Sequence, residues 1–495
     1  MGSVAELRAT VQRRLAAEVG TLRRVSPEGI ALVYPSPYRA GMSSLGFQQI
    51  YRTVHESGRS AERAFLPDDP DAHRRARAPL FTYESERPVG DFPVVALSVA
   101  FELELAGVIQ VLELSGLPAL AEDRDERHPF VLGGGPLTFS NPLPLAPYVD
   151  AILLGEADET VHRALDIVFA SASKAEARSA LAREVESCFV PAVHGAELPA
   201  PARCANELLP AYAAIRTPHT ELRDMFLLEA ERGCSRGCRY CVMRRSTNGG
   251  MRIVDKDRIL SLVPEDARRV GLVGAAVSDH PKIAEIVETL ADQGRGVGLS
   301  SLRPDRLNDR FVAALKRGGY RTLTTASDGA SQRLRDGLQR KARERHLEKA
   351  ARLARAHGLS RMKLYMMVGV PDETDEDIDE LVAFGTELSR IVPLSLGIAP
   401  FVAKRNTPLD GAPFAGIKTV ERRLQRLRRG LKGRVDLRAT SARWAWVEYV
   451  LAQGGAAEGR AVKAAVDAGG RFRDYRKAFE ALPEGRPRRA LRVVA

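Results

Sequence analysis

Short apolar runs alternate with helix-like segments along most of this 495-residue chain, and the alternation restricts the folds that it can adopt. The stretch "GIALVYPSP" has the β-branched composition of a strand, and "SSLGFQQIYRTVHESG" after it has the apolar spacing of a helix. This strand-to-helix unit recurs along the chain. Strands joined by helices lie parallel in a sheet that the helices cover, so the repeat predicts an α/β fold.

The repeats form two series, which predict two main domains. After an amphipathic helix in residues 1–25, residues 26–172 predict a doubly wound, Rossmann-like domain. About six further units predict a partial (β/α)6 TIM barrel in residues 222–420, because eight units are needed to close one. The proline- and alanine-rich residues 173–221 are interpreted as a linker, and residues 421–495 as a small, basic helical C-terminal extension.

The composition favours a cytoplasmic protein without membrane contact. The sequence has no run of about 20 apolar residues, and its arginine-bearing N-terminus lacks the apolar centre of a signal peptide. Five cysteines are too few, and odd in number, for a disulfide framework, so they suit a reducing compartment. Clustered thiolates in such a compartment more often bind metal.

The formal net charge of +11 is concentrated in residues 421–495. This segment contains 19 Lys and Arg against 8 Asp and Glu, an excess equal to that of the whole chain. A basic stretch such as "ERRLQRLRRGLKGR" can contact nucleic acid phosphates, which makes RNA a candidate partner. The alternative is that these arginines lie on solvated helix faces, and both interpretations stay open.

Three of the five cysteines lie within eight positions in "ERGCSRGCRYC", residues 231–241. Cys234, Cys238 and Cys241 directly follow the first predicted strand of the second series, at the end where α/β barrels hold their active sites. Thiolates at this spacing can hold one face of an iron–sulfur cluster and leave one iron open to another ligand. The alternatives are a zinc site completed by His280 or another side chain, and cysteines that are simply buried.

The stretch "GCSRGCRYC" resembles the CxxxCxΦC signature of radical S-adenosylmethionine (SAM) enzymes, and the resemblance extends over about residues 222–410. It implies a 4Fe–4S cluster held by Cys234, Cys238 and Cys241, with the fourth iron chelated by the amino and carboxylate groups of SAM. Tyr240 is then the aromatic residue beside the adenine. The resemblance further implies that one electron from a flavodoxin- or ferredoxin-like partner cleaves the sulfonium to a 5'-deoxyadenosyl radical.

The resemblance also implies SAM-binding positions at the ends of later strands. "VGLVGAAVSDHP" is similar to the second strand, whose end helps to hold the amino group, and "LSSLRPDRL" to the third, whose polar side chains reach the carboxylate. "TTASDGAS" matches the fourth strand with an aspartate where relatives carry glutamate, and "YMMVGVPDET" matches the fifth, which backs the adenine. The implied residues are Gly274, Ala275, Ser301, Arg303, Asp328, Gly369 and Pro371. Ordinary strand-end packing is the alternative for each.

An α/β domain before the barrel is similar to the arrangement in cobalamin-binding radical SAM enzymes, and "FVAKRNTPL" resembles a segment of that subgroup. The subgroup's Asp-x-His-x-x-Gly signature corresponds here to residues 36–41, in which Ser36 and Tyr38 replace the aspartate and the cobalt-ligating histidine. Either cobalamin binds without a protein ligand on cobalt, or the domain has lost cobalamin and serves as a cap. The residues of this cobalamin-binding-like region are Ser36, Tyr38, Gly41, Ser98, Gly133, Gly134, Gly135, Gly155 and Glu156.

The leading functional prediction is a radical SAM iron–sulfur enzyme, either a cobalamin-dependent methyltransferase or an enzyme that only abstracts hydrogen. The methylthiotransferase branch is disfavoured because its amino-terminal domain carries three cluster cysteines, whereas this chain has none before Cys188. One alternative is a nucleic-acid-binding module with a structural metal cluster, and another is a radical SAM enzyme that modifies RNA without cobalamin. The sequence predicts no particular substrate.

Overall fold

The computed structural model describes residues 3–243 and 250–483, and the chain divides into two compact units. The first unit combines Met1–Asp224 with Val450–Ala495, and the second is Met225–Tyr449. Each unit contains parallel strands joined by helices, which confirms the predicted mixed α/β class. Within the described ranges, no helix is both long and apolar enough to span a membrane.

A six-stranded sheet forms the centre of the first unit. Its strands are β1 (Gly29–Tyr34), β2 (Ser60–Phe65), β3 (Val94–Ser98), β4 (Phe130–Gly134), β5 (Ala151–Leu153) and β6 (Cys188–Phe189). They lie in the order β2-β1-β3-β4-β5-β6, and all neighbours are parallel except β5 and β6. Strand β1 is buried along its whole length, as its uninterrupted apolar sequence predicts.

Helices pack against this sheet through apolar residues at helical spacing. They are α1 (Val4–Ala16), α2 (Tyr38–Gly41), α3 (Leu45–Glu56), α4 (Pro70–Ala76), α5 (Leu105–Leu114), α6 (Thr160–Ala170), α7 (Lys174–Glu184) and α8 (Pro191–His194). The hydroxyl of Ser44 accepts a hydrogen bond from the Phe47 N–H at 3.4 Å and so caps α3. Phe47, Tyr51 and Val54 on this helix then join the buried core.

Residues 173–221 are part of the first unit and not the linker that their composition predicts. Helix α7 and strand β6 lie in this range, and β6 extends the sheet beside β5. Cys188 and Ile215 are buried in the core of the unit. The irregular backbone can be buried because side chains satisfy it: the Ile215 N–H donates to Gln48 Oε1 at 3.0 Å.

The second unit has three parallel strands in one sheet and four in another. Its strands are β7 (Met225–Glu229), β8 (Glu231–Gly233), β9 (Met251–Ile253), β10 (Arg269–Val273), β11 (Gly296–Leu299), β12 (Thr322–Asp328), β13 (Arg361–Val368), β14 (Leu394–Pro400) and β15 (Val435–Ala439). The sheets are β11-β10-β7 and β12-β13-β14-β15, while β8 and β9 form an antiparallel pair. Thr325 Oγ1 in β12 donates to Leu302 O at 2.7 Å and so joins the two sheets. Strands that follow chain order in this way fit the predicted partial barrel.

Helices alternate with the parallel strands of the second unit. They are α9 (Lys256–Ser261), α10 (Ile283–Asp292), α11 (Asp309–Arg317), α12 (Gln332–Gly337), α13 (Glu344–Ala356), α14 (Asp375–Ile391) and α15 (Ile417–Gly430). Helix α16 (Ala442–Gln453) begins in this unit, and its residues from Val450 belong to the first. The Phe311 N–H donates to Asn308 Oδ1 at 2.9 Å, which starts α11. Phe311 and Leu315 on the same helix are buried.

The predicted C-terminal extension is divided between the two units. Helix α15 and strand β15 belong to the second unit, where β15 pairs with β14. Helices α17 (Ala456–Asp467) and α18 (Phe472–Glu480) belong to the first, in which the Tyr148 hydroxyl donates to Gly459 O at 2.5 Å. A Cβ on Gly459 would collide with Pro144 O, so this close approach requires glycine. Composition does not encode which helix faces pack, which is why it did not predict this packing.

Candidate functional site

A cavity of about 650 Å³ lies among the strand ends of the second unit. Glu229, Gly274, Ser300 and Asp328, each at or just after the end of a strand, contribute to its wall. Parallel strands place their carboxyl ends on one edge, which is why these residues meet. The predicted site residues that line the cavity are Cys234, Cys238, Tyr240, Cys241, Gly274, Ala275, Ser301, Arg303 and Asp328.

The cysteine loop begins where β8 ends. Gly233 has a φ of +95°, a conformation that favours glycine and directs the chain into the loop. The Cys234 N–H donates to Gly250 O, and the Cys241 N–H donates to Cys238 O, both at 3.2 Å. All three thiols are free; Cys238 is buried and the other two are half-buried. The local backbone therefore holds three free thiols around one cavity.

Two thiols of this loop, those of Cys234 and Cys241, have raised pKa values. Burial raises the pKa of the Cys234 thiol, and it raises the pKa of the Cys241 thiol to about 11, with a further increase from the neighbouring Cys238. Both thiols are therefore protonated at neutral pH in the free chain. Since thiolates are the form that binds metal, bound iron would stabilise the ionised form. A donor set of three thiols fits an iron–sulfur cluster.

A zinc site completed by His280 does not fit the geometry. His280 Nε2 lies 2.8 Å from Val254 O, and its Nδ1 accepts from the Lys282 N–H at 3.0 Å, so both ring nitrogens are in use. Among the residues that the structure describes, no three His, Cys, Asp or Glu side chains converge as ligands of a single ion do. A cluster spreads its thiolates over several irons and does not require that convergence.

Arg303 is a buried cation in the cavity wall. Arg236 of the cysteine loop donates to Asp279 at 2.9 Å and to Asp305 at 3.3 Å. Burial acts to raise the pKa of Asp279, but the Arg236 hydrogen bonds and the Arg303 charge outweigh it and hold that pKa below its ordinary value. Asp279 and Asp305 lie within 3.5 Å of Arg303, yet its Nε and Nη2 make no hydrogen bond to any described residue. Arg303 is therefore ion-paired, but two of its N–H groups have no hydrogen-bond acceptor among the described residues.

Asp328 ends β12 with a left-handed φ of +64° and forms an ion pair with Arg340. Arg340 also contacts Cys238, and Asp328 contacts the Tyr240 hydroxyl. Burial, reinforced by the Asp328 charge, raises the pKa of Tyr240. The charge of Asp328 is thus already neutralised. Arg340 is a cavity residue that sequence reasoning missed, because no motif marks it.

Glu231 is a second cavity residue that sequence reasoning missed. It lies in β8 and is fully buried. Its Oε1 accepts a hydrogen bond from the Ala276 N–H at 2.6 Å, whereas its Oε2 has no partner among the described residues. Burial raises the pKa of Glu231 to about 7, and the nearby charges of Glu229 and Asp279 act in the same direction. The sequence signal that could have identified Glu231 is its position in "LLEAERGC", shortly after an apolar run and three residues before Cys234.

Gly369 and Pro371 are not among the described residues that line the cavity. Gly369 has a φ of +84°, and its N–H donates to Glu373 Oε2 at 2.6 Å. Arg423 Nη1 in α15 donates to the same oxygen at 2.8 Å. The loop after β13 is therefore held by a buried ion pair to α15, and its predicted contact with adenine stays a prediction.

Arginines of α15 form ion pairs inside the second unit. Arg423 pairs with Glu373, and Arg426 pairs with Asp379 near the acidic start of α14. Part of the basic segment that predicted RNA contact is therefore neutralised by neighbouring carboxylates. Arg428 on the same helix is exposed.

In the first unit, the residues that replace the aspartate and the cobalt-ligating histidine of the cobalamin signature have internal partners. Tyr38 is buried, its hydroxyl donates to Glu18 Oε1 at 2.6 Å, and its ring stacks on Tyr83 with centroids 5.0 Å apart. Burial and the Glu18 charge raise the pKa of Tyr38. Ser36 Oγ donates to Glu104 Oε1 at 2.8 Å. Neither side chain is free to ligate cobalt.

The glycines of the cobalamin-binding-like region face atoms of the chain itself. A Cβ on Gly41, Gly135 or Gly155 would lie between 2.5 and 2.7 Å from such an atom. A Cβ on Gly133 would lie 3.2 Å from a side chain, while one on Gly134 would make ordinary contact only. These glycines thus permit close internal packing.

The two remaining polar residues of this region also have structural partners. Ser98 ends β3 and pairs with Gly134 in β4. Glu156 is buried, and its Oε2 accepts a hydrogen bond from the Cys204 N–H at 3.0 Å. The residues of the region therefore do not fit a cobalamin whose cobalt is ligated by the loop at residues 36–41.

Two family models match the chain. "Radical SAM proteins, N-terminal" matches residues 46–191, and "Radical SAM superfamily" matches residues 229–385. A protein of Methanocaldococcus jannaschii whose name states no function is 26% identical over 418 residues, 81% of this chain and 84% of that protein. The tRNA-2-methylthio-N(6)-dimethylallyladenosine synthase of Bacillus licheniformis is 26% identical over 172 residues, 32% of this chain and 34% of the synthase. The chain thus spans about a third of the synthase.

Two solved structures share the fold. TsrM of Kitasatospora setae, described as a radical S-adenosylmethionine methyltransferase, superposes with a TM-score of 0.55 at 15% identity, over 79% of this chain and 75% of TsrM. Apo OxsB, described as a cobalamin-dependent S-adenosylmethionine radical enzyme, superposes with a TM-score of 0.52 at 11% identity, over 82% of this chain and 55% of OxsB. At such identities the likeness concerns the fold alone.

Proposed function

Since this chain is an enzyme of the radical SAM superfamily, we propose that it reductively cleaves SAM to a 5'-deoxyadenosyl radical. The observation that carries the proposal is that Cys234, Cys238 and Cys241 all line one cavity. A 4Fe–4S cluster on these thiols would supply the electron that breaks the sulfonium bond. We further propose a flavodoxin- or ferredoxin-like protein as the electron donor.

The residues around the cysteines would bind and orient SAM. Arg303 offers a guanidinium to the methionyl carboxylate, and the Tyr240 ring offers a face to the adenine. Ser301 Oγ accepts a hydrogen bond from the Val277 N–H at 3.0 Å and so orders the turn after β10. Through this hydrogen bond, Ser301 helps to fix the shape of the cavity at the end of β10.

The test is anaerobic reconstitution with iron and sulfide, followed by incubation with SAM and dithionite. We expect about four irons per chain, and 5'-deoxyadenosine that forms only when reductant is present. Failure to form an oxygen-sensitive cluster would contradict the proposal. A stable cluster without SAM cleavage would instead favour a nucleic-acid-binding module with a structural cluster.

We propose that methyl transfer through cobalamin is the less favoured route. The internal hydrogen bonds of Ser36 and Tyr38 support this choice, although the fold likeness to cobalamin-dependent OxsB favours the opposite one. After cobalamin is added to the reconstituted protein and free cobalamin is removed by desalting, we expect iron to be retained and cobalt to remain far below one per chain. Stoichiometric cobalt would overturn this expectation and make cobalamin-dependent methyl transfer the leading mechanism.

RNA is the second candidate class of substrate, favoured by the partial identity to a tRNA-2-methylthio-N(6)-dimethylallyladenosine synthase. Exposed Arg428 and Arg429 on α15 would then contact phosphates. We expect tRNA affinity to fall as salt rises, and the double variant Arg428→Glu, Arg429→Glu to reduce the log–log salt slope by about 2. An unchanged slope would contradict RNA contact through this helix.

A further inference from the structure

The charged side chains of the cavity wall are paired, with one exception among the acids. Glu229 accepts hydrogen bonds from Arg232 at 2.7 and 2.9 Å, and Asp328 pairs with Arg340. Glu231 has no basic side chain beside it in the described ranges, and only its Oε1 accepts a hydrogen bond. A fully buried carboxylate oxygen without a donor is unfavourable, so the cavity offers a place for a donor that the chain does not supply.

The carboxylate of Glu231 lies against the end of β10. A Cβ on Gly274 would lie 2.2 Å from Glu231 Oε1, so glycine at this position permits the approach. The turn after β10 carries no other carboxylate until Asp279, and Asp279 already binds Arg236 and Arg306. Glu231 is therefore the acceptor that this end of the cavity presents to a ligand.

Arg303 is a base in the wall of the same cavity. It lies within ion-pair distance of Asp279 and Asp305, but its Nε and Nη2 make no hydrogen bond in the described structure. A zwitterionic amino-acid group carries both N–H donors and a carboxylate. Its amino group would supply the donor that Glu231 Oε2 lacks, and its carboxylate would accept the hydrogen bonds that Arg303 does not make within the described structure.

We propose that Glu231 Oε2 accepts hydrogen bonds from the amino group of the methionyl part of SAM, while Arg303 receives its carboxylate. This inference rests on the proposed function. It assigns Glu231, which comes from the strand before the cysteines, as a binding residue for the cosubstrate.

The experiment compares two ligands on the reconstituted, unreduced protein by equilibrium binding: SAM, and a SAM analogue in which hydrogen replaces the methionyl amino group. We expect Glu231→Gln to weaken SAM binding by about 10- to 100-fold, as for the loss of a hydrogen bond to a charged group, and to change the affinity for the analogue by less than about twofold. Iron content per chain verifies that the variant folds and holds its cluster.

Gly274→Ala tests the same contact from the other side, because the added methyl group would displace the Glu231 carboxylate. We expect the same selective loss of SAM affinity, and this variant carries the test if Glu231→Gln fails to fold. Glu229→Gln is the matched control, since Glu229 is paired with Arg232, and its effect on the two ligands should be equal.

Two outcomes would overturn the inference: unchanged SAM affinity in Glu231→Gln, or an equal loss for SAM and the analogue, which would indicate a structural role only. If the wild-type protein does not bind SAM at all, the proposed function itself is wrong. That result is distinguishable, because it appears before any variant is compared.

Discussion

Alanine at Cys234, Cys238 or Cys241 is expected to lower 5'-deoxyadenosine formation by about 1,000-fold or more, which corresponds to about 4 kcal/mol of activation free energy. The three thiols lie on one cavity wall. A cluster that loses one of three thiolates loses the support of an iron, so both electron transfer and SAM binding should fail. The measurement is iron content, the EPR spectrum of the reduced cluster and chromatographic detection of 5'-deoxyadenosine for each reconstituted variant.

Cys188 and Cys204 provide the matched controls. Both are buried, at 0% and 4% exposure, and both belong to the first unit. Alanine at either position should leave iron content and 5'-deoxyadenosine formation unchanged, at a cost in stability of about 1 kcal/mol for the lost buried sulfur. Full activity in Cys234→Ala, or loss of the cluster in Cys188→Ala, would show that the cluster is not held by the loop at residues 231–241.

Replacing Arg63 with alanine is expected to lower the free energy of unfolding of the first unit by about 3–5 kcal/mol. The Arg63 side chain is fully buried in the core and donates to Glu18 at 2.7 and 2.9 Å and to Glu84 at 2.6 Å. Removing it leaves two buried carboxylates without a counter-charge, which is far more costly than the loss of an exposed pair. Urea unfolding of the wild type and the variant, followed by a probe in the first unit, measures the difference.

Arg59→Ala is the control for this prediction. Arg59 pairs with Glu28 and Asp166, which are 44% and 53% exposed, so its loss should cost about 1 kcal/mol or less. Adding Glu18→Gln and Glu84→Gln to Arg63→Ala should recover part of the lost stability, since the uncompensated charges are removed. If Arg63→Ala were no more destabilising than Arg59→Ala, the buried ionic cluster would not stabilise the fold.

Several elements could be predicted because their signal is local. The apolar run "GIALVY" forms the buried strand β1, and the spacing of the cysteines places three thiols on one loop after β8. Ser301 and Arg303 were implied by the resemblance of "LSSLRPDRL" to the third strand of the radical SAM family, and both line the cavity. In a parallel α/β fold the carboxyl ends of the strands lie on one edge, whatever helices connect them. Residues that follow a strand could therefore be assigned to this edge without knowledge of their tertiary contacts.

Other predictions were wrong where packing depends on distant residues. The composition of residues 173–221 predicts a linker. In the structure, however, β6 pairs with β5 and Ile215 is buried in the core of the first unit. Its backbone is satisfied by side chains such as Gln48, which is remote in sequence. The composition of the basic C-terminal segment likewise predicts a peripheral extension. In the structure, however, Gly459 lets helix α17 pack closely against Pro144.

The local sequence was sufficient to predict the α/β class and the cysteine loop, because periodicity and spacing act over a few residues. The partners of the charged groups followed only from the folded chain. Glu231 accepts from Ala276, Arg423 binds Glu373, and the Tyr38 hydroxyl is held by Glu18. Whether a buried charge is neutralised or left for a ligand depends on contacts between segments that lie far apart in sequence, and burial makes the free energy of those contacts large.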